Sequence, residues 1–308
     1  MVESLSRLAR HYDWLQANPN VLIHMRGFDF VLGNETSFQV RTARSIWQRV
    51  FSLLKIDMRR LITGPALART VYFPRSAPCN LPLSNALEMR VLVHRMLALA
   101  RATDHWGDSD LLGVGGLLQP RQSRTGHRPR LVLQHRQCSS SSPCQGWREM
   151  DARSFAMLQA ALQDHLLPSS MHVMRFDEKD PPEQLRHEVV LYSKTDVVVG
   201  FHGAGLANLV FMRPGSLVIE IVSDFDGRYA PVCGYHGPLA AAFGIHHMLH
   251  YFDLPPQHTN NNSSLGVGVG VGGENLYLSL SERELKALFD DIASSAALAW
   301  TKMSEQHS

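Results

Sequence analysis

Cysteine is scarce in this chain. Its 308 residues hold four, Cys79, Cys138, Cys144 and Cys233, and no two are spaced Cys-x-x-Cys. That spacing argues against a structural zinc site, so the thiols read as core or loop residues. A Cys138–Cys144 bridge stays open if the compartment is oxidising. Glycosylation acceptors at Asn34, Asn261 and Asn262 suit such a compartment. An excess of one charge is also missing. Lys and Arg number 30 against 28 Asp and Glu, a formal net charge of +2. With no acidic tail and no basic block, a nucleic-acid partner is not indicated. No run approaches the roughly 20 apolar residues of a membrane-spanning helix. The opening Met1–Arg7 lacks the apolar core of a signal peptide. Read literally the chain is soluble and untargeted, and it equally fits the body of a longer protein anchored elsewhere. A Gly-x-Ser-x-Gly nucleophile elbow is absent as well, which disfavours an esterase.

Apolar residues are plentiful, at 44%, enough for one large or two ordinary domains. The first part, 1–125, is mixed. Val21–His24 and Val71–Phe73 read as short strands. Asn85–Ala102 has helical spacing, with Ser84 placed to cap it. Gly107–Pro129 is a polar, glycine-rich loop. From 126 to 308 the pattern becomes regular. Strands are expected at Leu131–Leu133, Met171–Phe176, Asp196–Gly200 and Leu217–Val222. Helices are expected after Asp151, after Pro181-Pro182, over Gly203–Met212 and over Ser281–Trp300, the last with a Glu282–Lys286 pair. Such alternation points to an α/β fold with a doubly wound parallel sheet, whose ligands lie outside the carboxyl ends of the strands. The Asn-Ser and Gly-Val tract at 258–273 is a low-complexity insert.

One stretch combines a buried strand, small residues and a helix start: Asp196-Val-Val-Val-Gly-Phe-His202-Gly203-Ala204-Gly205-Leu-Ala-Asn208. Gly203 and Gly205 let backbone approach a ligand and take unusual angles. The N–H groups and dipole of the helix start attract an anion, and a diphosphate is the natural guest. His202, at the lip, is placed to donate to a phosphate or sugar oxygen. A tight turn with glycines for packing is the plainer alternative.

The segment from Asp196 to Ile221 resembles glycosyltransferase family 61. Its His-Gly-Ala-Gly turn, Asn208, Phe211-Met212-Arg213-Pro214-Gly215 and Val218-Ile219-Glu220-Ile221 carry the resemblance, which is strongest over Arg130–Phe252. That family includes enzymes adding GlcNAc, xylose or arabinose from nucleotide donors. The resemblance implies a GT-B-like fold of two Rossmann-like units with parallel sheets, the N-terminal one reduced here. It implies inverting transfer to a glycan or glycoprotein hydroxyl with no obligatory metal or other cofactor, a nucleotide sugar (UDP-linked) as donor, and the lumen of the Golgi or endoplasmic reticulum. Arg136 resembles the family's strand-end arginine and would pair with the diphosphate. Arg148 resembles its Arg-x-x-Asn element, with Asp151 replacing the Asn. Glu220, at a strand's end, would accept from ribose hydroxyls. Where family members often carry Glu-Gln, this chain has His187-Glu188.

The expected substrate-binding residues are thus Arg136, Arg148, Gly203, Ala204, Gly205, Asn208 and Glu220, with His202 as the catalytic residue. A general base would come from the N-terminal unit, where Asp29 is the candidate beside His24 and Glu35. Two rivals stay in view. A metal-dependent transferase would use Asp108-Ser109-Asp110 or Asp224-Phe225-Asp226. A non-catalytic nucleotide- or glycan-binding relative would keep the fold without the acceptor site.

Overall fold

A computed structural model describes residues 2–24, 47–62, 67, 70, 83–102, 130–136, 150, 152–165, 171–176, 184–224, 236–253 and 280–305. The four cysteines, the glycosylation acceptors, the expected strand Val71–Phe73 and the insert at 258–273 lie outside these residues. The chain divides into two compact units. One comprises Met1–Leu112 with Glu178–Ser193, the other Gly113–Asp177 with Lys194–Ser308.

The first unit is mainly helical where described. Helix Val2–Ala17 packs on helix Leu83–Ala102. Residues at helical spacing supply the contact, with Tyr12 and Leu15 buried on one helix and Met89, Leu92, Met96 and Leu97 on the other. Ser84 therefore falls inside the second helix rather than capping it. A helical segment at 47–53 ends in a Schellman turn, with Lys55 left-handed at φ 55° and Ile56 N–H bonded to Phe51 C=O at 2.8 Å. The two-residue strands β1 (Ile23–His24) and β2 (Leu61–Ile62) pair in parallel. They are the only sheet among the described residues of this unit. Helix Gln184–Lys194 begins two residues after Pro182, and its Glu188 lies 3.7 Å from Arg49.

The second unit is built on five parallel strands: β3 (Leu131–Arg136), β4 (Met171–Phe176), β5 (Val197–Phe201), β6 (Leu217–Asp224) and β7 (His246–Asp253). Their spatial order is β4-β3-β5-β6-β7. The mixed α/β class and parallel sheet agree with the sequence reading. Alternate residues explain why both faces are covered. Leu131, Leu133, Val197, Val199, Leu217, Ile219 and Ile221 point to one face, where they join Phe155, Leu158 and Leu162 of helix Ala152–His165 and Leu285, Leu288 and Ile292 of helix Glu282–Glu305. Val132, Val198 and Val218 are buried on the other face. Helix His236–Ala242 and a 3-10 helix, Ala204–Phe211, belong to that side and contact each other. Nearly unbroken apolar strands are what two covered faces require.

The last helix starts with a capping box. The Ser281 Oγ and Glu284 N–H are 3.3 Å apart, and the Ser281 N–H donates to Glu284 Oε2 at 2.8 Å. On this helix Lys286 pairs with Asp290 at 2.7 Å rather than with Glu282 as expected, since an acid one turn toward the C-terminus competes for the same ammonium. Among the described residues, no helix is long and apolar enough to cross a membrane.

Buried Asp196 ties together the amino ends of three strands. Its Oδ2 accepts from Arg130 N–H at 2.7 Å, its own N–H donates to Arg130 C=O at 2.9 Å, and its C=O accepts from Leu217 N–H at 2.9 Å. Asp196→Ala removes the side-chain acceptor and should lower the unfolding free energy by about 1–2 kcal/mol in urea denaturation, with Asp196→Asn losing less.

Candidate active site

The chain leaves β3 toward β4 on one side, then returns to β5 on the other side and continues outward through β6 and β7. A topological switch point therefore lies between the carboxyl ends of β3 and β5. The ladder between these strands ends at Leu133↔Val199, although both strands run on. Gln134 fills the gap. Its Nε2 donates to Gly205 C=O at 3.2 Å, fastening the turn after β5 to β3. Gly200 makes room for it, since a Cβ there would lie 2.8 Å from Gln134 Oε1 and 3.0 Å from Gln134 Cβ.

The turn itself is straighter than its glycines suggest. Gly203 has φ 163° and ψ 176°, an extended backbone. The unusual angles expected at Gly203 are not found, because the strand geometry simply continues. His202 N–H still bonds to Ile221 C=O at 2.8 Å. A Cβ on Gly203 would meet only Phe201 C=O, at 3.9 Å, so its own packing does not demand glycine. The following helix is of 3-10 type. Its first turn closes by Leu206 N–H to Gly203 C=O at 3.1 Å, so the N–H groups of Ala204 and Gly205 stand ahead of the first intrahelical bond.

Beside this turn, Glu220 gathers three histidines. It is the fourth residue of the eight-residue β6, not the strand-end residue expected, because pairing with β7 carries β6 on to Asp224. The carboxylate is buried, at 4% exposure. Its Oε1 is bonded by His202 Nδ1, and by His236 Nδ1 at 2.8 Å. Its Oε2 is bonded by His247 Nε2 at 2.7 Å. His202 comes from the turn after β5, His236 opens helix His236–Ala242, and His247 lies on β7. The His202 and His236 rings meet edge to face with centroids 5.3 Å apart. The His236 side chain is 2% exposed, His247 19% and His202 30%, so His202 is the open member of the group.

Burial alone would raise the Glu220 pKa. Hydrogen bonds from His202, His236 and His247, and the electrostatic pull of His236, oppose that and win, holding the carboxyl well below its ordinary 4.5. An ionised carboxylate only accepts, so each histidine nitrogen facing it carries a hydrogen. His202, Glu220 and His236 also each offer a ligand atom, and these atoms lie within 4.8 Å of one another, a spacing that can hold a divalent ion.

The expected residues are distributed as follows. His202, Gly203, Ala204, Gly205 and Glu220 come together around the end of β5. Asn208 is buried within the 3-10 helix. Arg136 closes β3, on the opposite side of the switch point. Asp29, Arg148, Asp108, Asp110 and Asp226 lie outside the described residues, and Asp224 ends β6. His236 and His247 escape the sequence reading because the elements carrying them, helix His236–Ala242 and β7, are not anticipated. The apolar and aromatic residues Met248, Leu249, Tyr251 and Phe252 are the signal that could have revealed the strand, although the histidines among them break the alternation.

A glycine-bearing turn thus lies at the switch point of a parallel α/β sheet, the place where such sheets receive their ligands. Residues 127–219, a little under a third of the chain, match the family model described as Glycosyltransferase 61. This is the family named by the sequence resemblance, and its members are glycosyltransferases. The matched stretch runs from just before β3 into β6 and stops one residue short of Glu220. No curated protein matches the chain.

Two outcomes are expected. A carboxyl whose pKa is lowered by folding stabilises the native state above its unfolded value and loses that contribution as pH falls. Urea-derived stability should therefore decline as pH drops below the ordinary 4.5, and Glu220→Gln should flatten this acid slope. Gly200→Ala should push Gln134 from Gly205 C=O, costing about 1–2 kcal/mol in thermal or urea unfolding.

Proposed function

We propose that the second unit is the donor half of an inverting glycosyltransferase that takes its sugar from a nucleoside diphosphate, UDP-linked in the simplest case. The observation that carries this reading is positional. The family match covers the crevice between β3 and β5, where a doubly wound sheet receives its ligand. In an inverting transfer, an acceptor hydroxyl attacks the anomeric carbon from the face opposite the nucleotide, and negative charge builds on the departing diphosphate. Arg136, Arg148 and the Ala204 and Gly205 N–H groups are the groups we assign to meet that charge, without an obligatory metal. His202 completes the group from the lip, and Gly203 leaves the backbone open to close approach. Asn208 supports the turn from within the 3-10 helix.

The first unit is the acceptor side in this GT-B-like reading, with GlcNAc, xylose or arabinose as the sugar and a glycan or glycoprotein hydroxyl in the secretory lumen as acceptor. Asp29 stands as the candidate general base. A non-catalytic nucleotide- or glycan-binding relative is the second reading. It is favoured by the first unit having, among its described residues, only a two-residue strand pairing.

The test is a panel of nucleotide sugars scored by thermal stabilisation and slow donor hydrolysis, with and without chelator. A UDP-sugar should raise the melting temperature and be hydrolysed slowly, unaffected by chelator. His202→Ala and Arg136→Ala should each weaken nucleotide binding about tenfold or more, the loss of one charge-assisted contact. Nucleotide binding unchanged in both variants would sink the pocket assignment. Abolition of activity by chelator would instead favour a metal held by His202, Glu220 and His236. Binding with neither hydrolysis nor transfer across a broad acceptor set would support the non-catalytic reading.

A further inference from the structure

We propose that His202, Glu220 and His236 form a binding site for one divalent transition-metal ion of the zinc class, with His247 bracing the carboxylate from outside. The site stands apart from the donor-pocket reading, in which transfer has no obligatory metal, and gives the histidine array a ligand of its own.

The three residues come from separate elements: the turn after β5, β6, and the first position of helix His236–Ala242. Each nonetheless offers a ligand atom, and these atoms lie within 4.8 Å of one another. Both imidazoles reach the same oxygen. His202 Nδ1 and His236 Nδ1 each contact Glu220 Oε1, the second at 2.8 Å. On a tetrahedral zinc with bonds of about 2.0–2.1 Å, neighbouring ligand atoms stand roughly 3.3 Å apart. The His236 contact therefore has to open by about half an ångström, which a small rotation of the ring supplies. As the ion enters, each ring's hydrogen moves to its other nitrogen, and the neutral imidazole ligates.

His247 supplies what a ligating carboxylate needs on its far side. Its Nε2 bonds to Glu220 Oε2 at 2.7 Å, so the oxygen shared by the other two histidines is held in a fixed direction. Ligating carboxylates are themselves hydrogen-bonded in this way, and the outer partner sets how well they bind. Burial favours the ion too. Glu220 is 4% exposed, and its negative charge inside the sheet is offset by a dication more fully than by neutral imidazoles. Two nitrogens and one oxygen suit zinc and its neighbours in the transition series, whereas magnesium and calcium take oxygen ligands. Three protein ligands leave a fourth position for water, and the partly exposed His202 is the side open to solvent. Since the array is already closed by hydrogen bonds, the ion clasps a formed site instead of building one.

The experiment strips the full chain with chelator and dialyses it against zinc, magnesium or cobalt. Bound metal, melting temperature and the visible spectrum of the cobalt-loaded chain are then measured. Zinc should raise the melting temperature and magnesium should not. Cobalt should absorb more strongly than the hydrated ion, without the near-ultraviolet band of thiolate ligation, a readout that needs no substitution. His202→Ala, which alters the most open member of the array, should stay folded by circular dichroism, bind one zinc fewer per chain and lose the cobalt absorption. Glu220→Gln should do the same. His247→Ala keeps all three ligands and should weaken zinc about 10–100-fold. No zinc binding, or zinc binding and a cobalt spectrum unchanged in His202→Ala and Glu220→Gln, overturns the site. Zinc affinity unchanged in His247→Ala overturns the brace. UDP binding by the chelated chain, measured in parallel, tests the donor pocket separately.

Discussion

The second unit is organised around a single buried carboxylate. A charge in a sheet interior is tolerated only when its desolvation is matched by hydrogen bonds that meet its remaining lone pairs. Glu220 receives three, from three separate elements, and each is an imidazole able to donate from one side and face elsewhere with the other. The arrangement constrains the neighbours as much as the acid. The turn after β5 must bring His202 down toward β6, the helix after β6 must begin at His236, and β7 must pair in the register that sets His247 diagonal to Glu220. Moving any of these by one residue would leave a buried ion short of a partner.

Around that centre, the two sides of the switch point do different work. On the β3 side, Gln134 crosses to Gly205 and fixes the turn through a neutral contact, with Gly200 giving it space. On the β6 side the same turn is held through charge, by His202 and Glu220. The turn is thus fastened at both ends while its Ala204 and Gly205 N–H groups precede the first intrahelical bond. In the proposed donor pocket, donors fixed in advance would meet the charge on a leaving group with little reorganisation during reaction. The opposite face of the sheet supplies the stiffness. There Leu133, Val199 and Ile219 pack against the helices at 152–165 and 282–305.

Much of the second unit is legible from the chain alone, for a physical reason. Strands β3, β5 and β6 are buried on both faces, so they appear as apolar runs with abrupt ends. The His-Gly-Ala-Gly turn is legible as a turn too, because glycines between an apolar strand and a helix mark a break in both. The failures also have causes. β7 is an edge strand, with Leu249 and Tyr251 exposed, and its histidines mask the alternation that would reveal it. Helix His236–Ala242 spans only seven residues, too few for a helical period to declare itself. With these two elements go His236 and His247, so Glu220 reads as a solitary acid suited to a ribose. Only the fold shows that its oxygens are already engaged. Gly203 has the freedom to turn, yet its backbone is extended, because residue type limits dihedral angles without dictating them.

The position of β7 bears on the order in which this protein acquires its site. The strand joins the sheet last in sequence and supplies one of the three histidines, while the helix just before it supplies another. Parallel pairing of this kind closes long loops and forms late compared with local helices. A nascent chain that has emerged through β6 already contains the turn, Gln134, His202 and Glu220, but its acid has one of three donors. Until residues 236–253 arrive, that carboxylate is an ion without its shell and resists burial beneath the sheet's second face. The stretch that matches the family model is therefore insufficient to complete the array around Glu220. Two of the three donors to Glu220 thus come from a segment with no part in the family match.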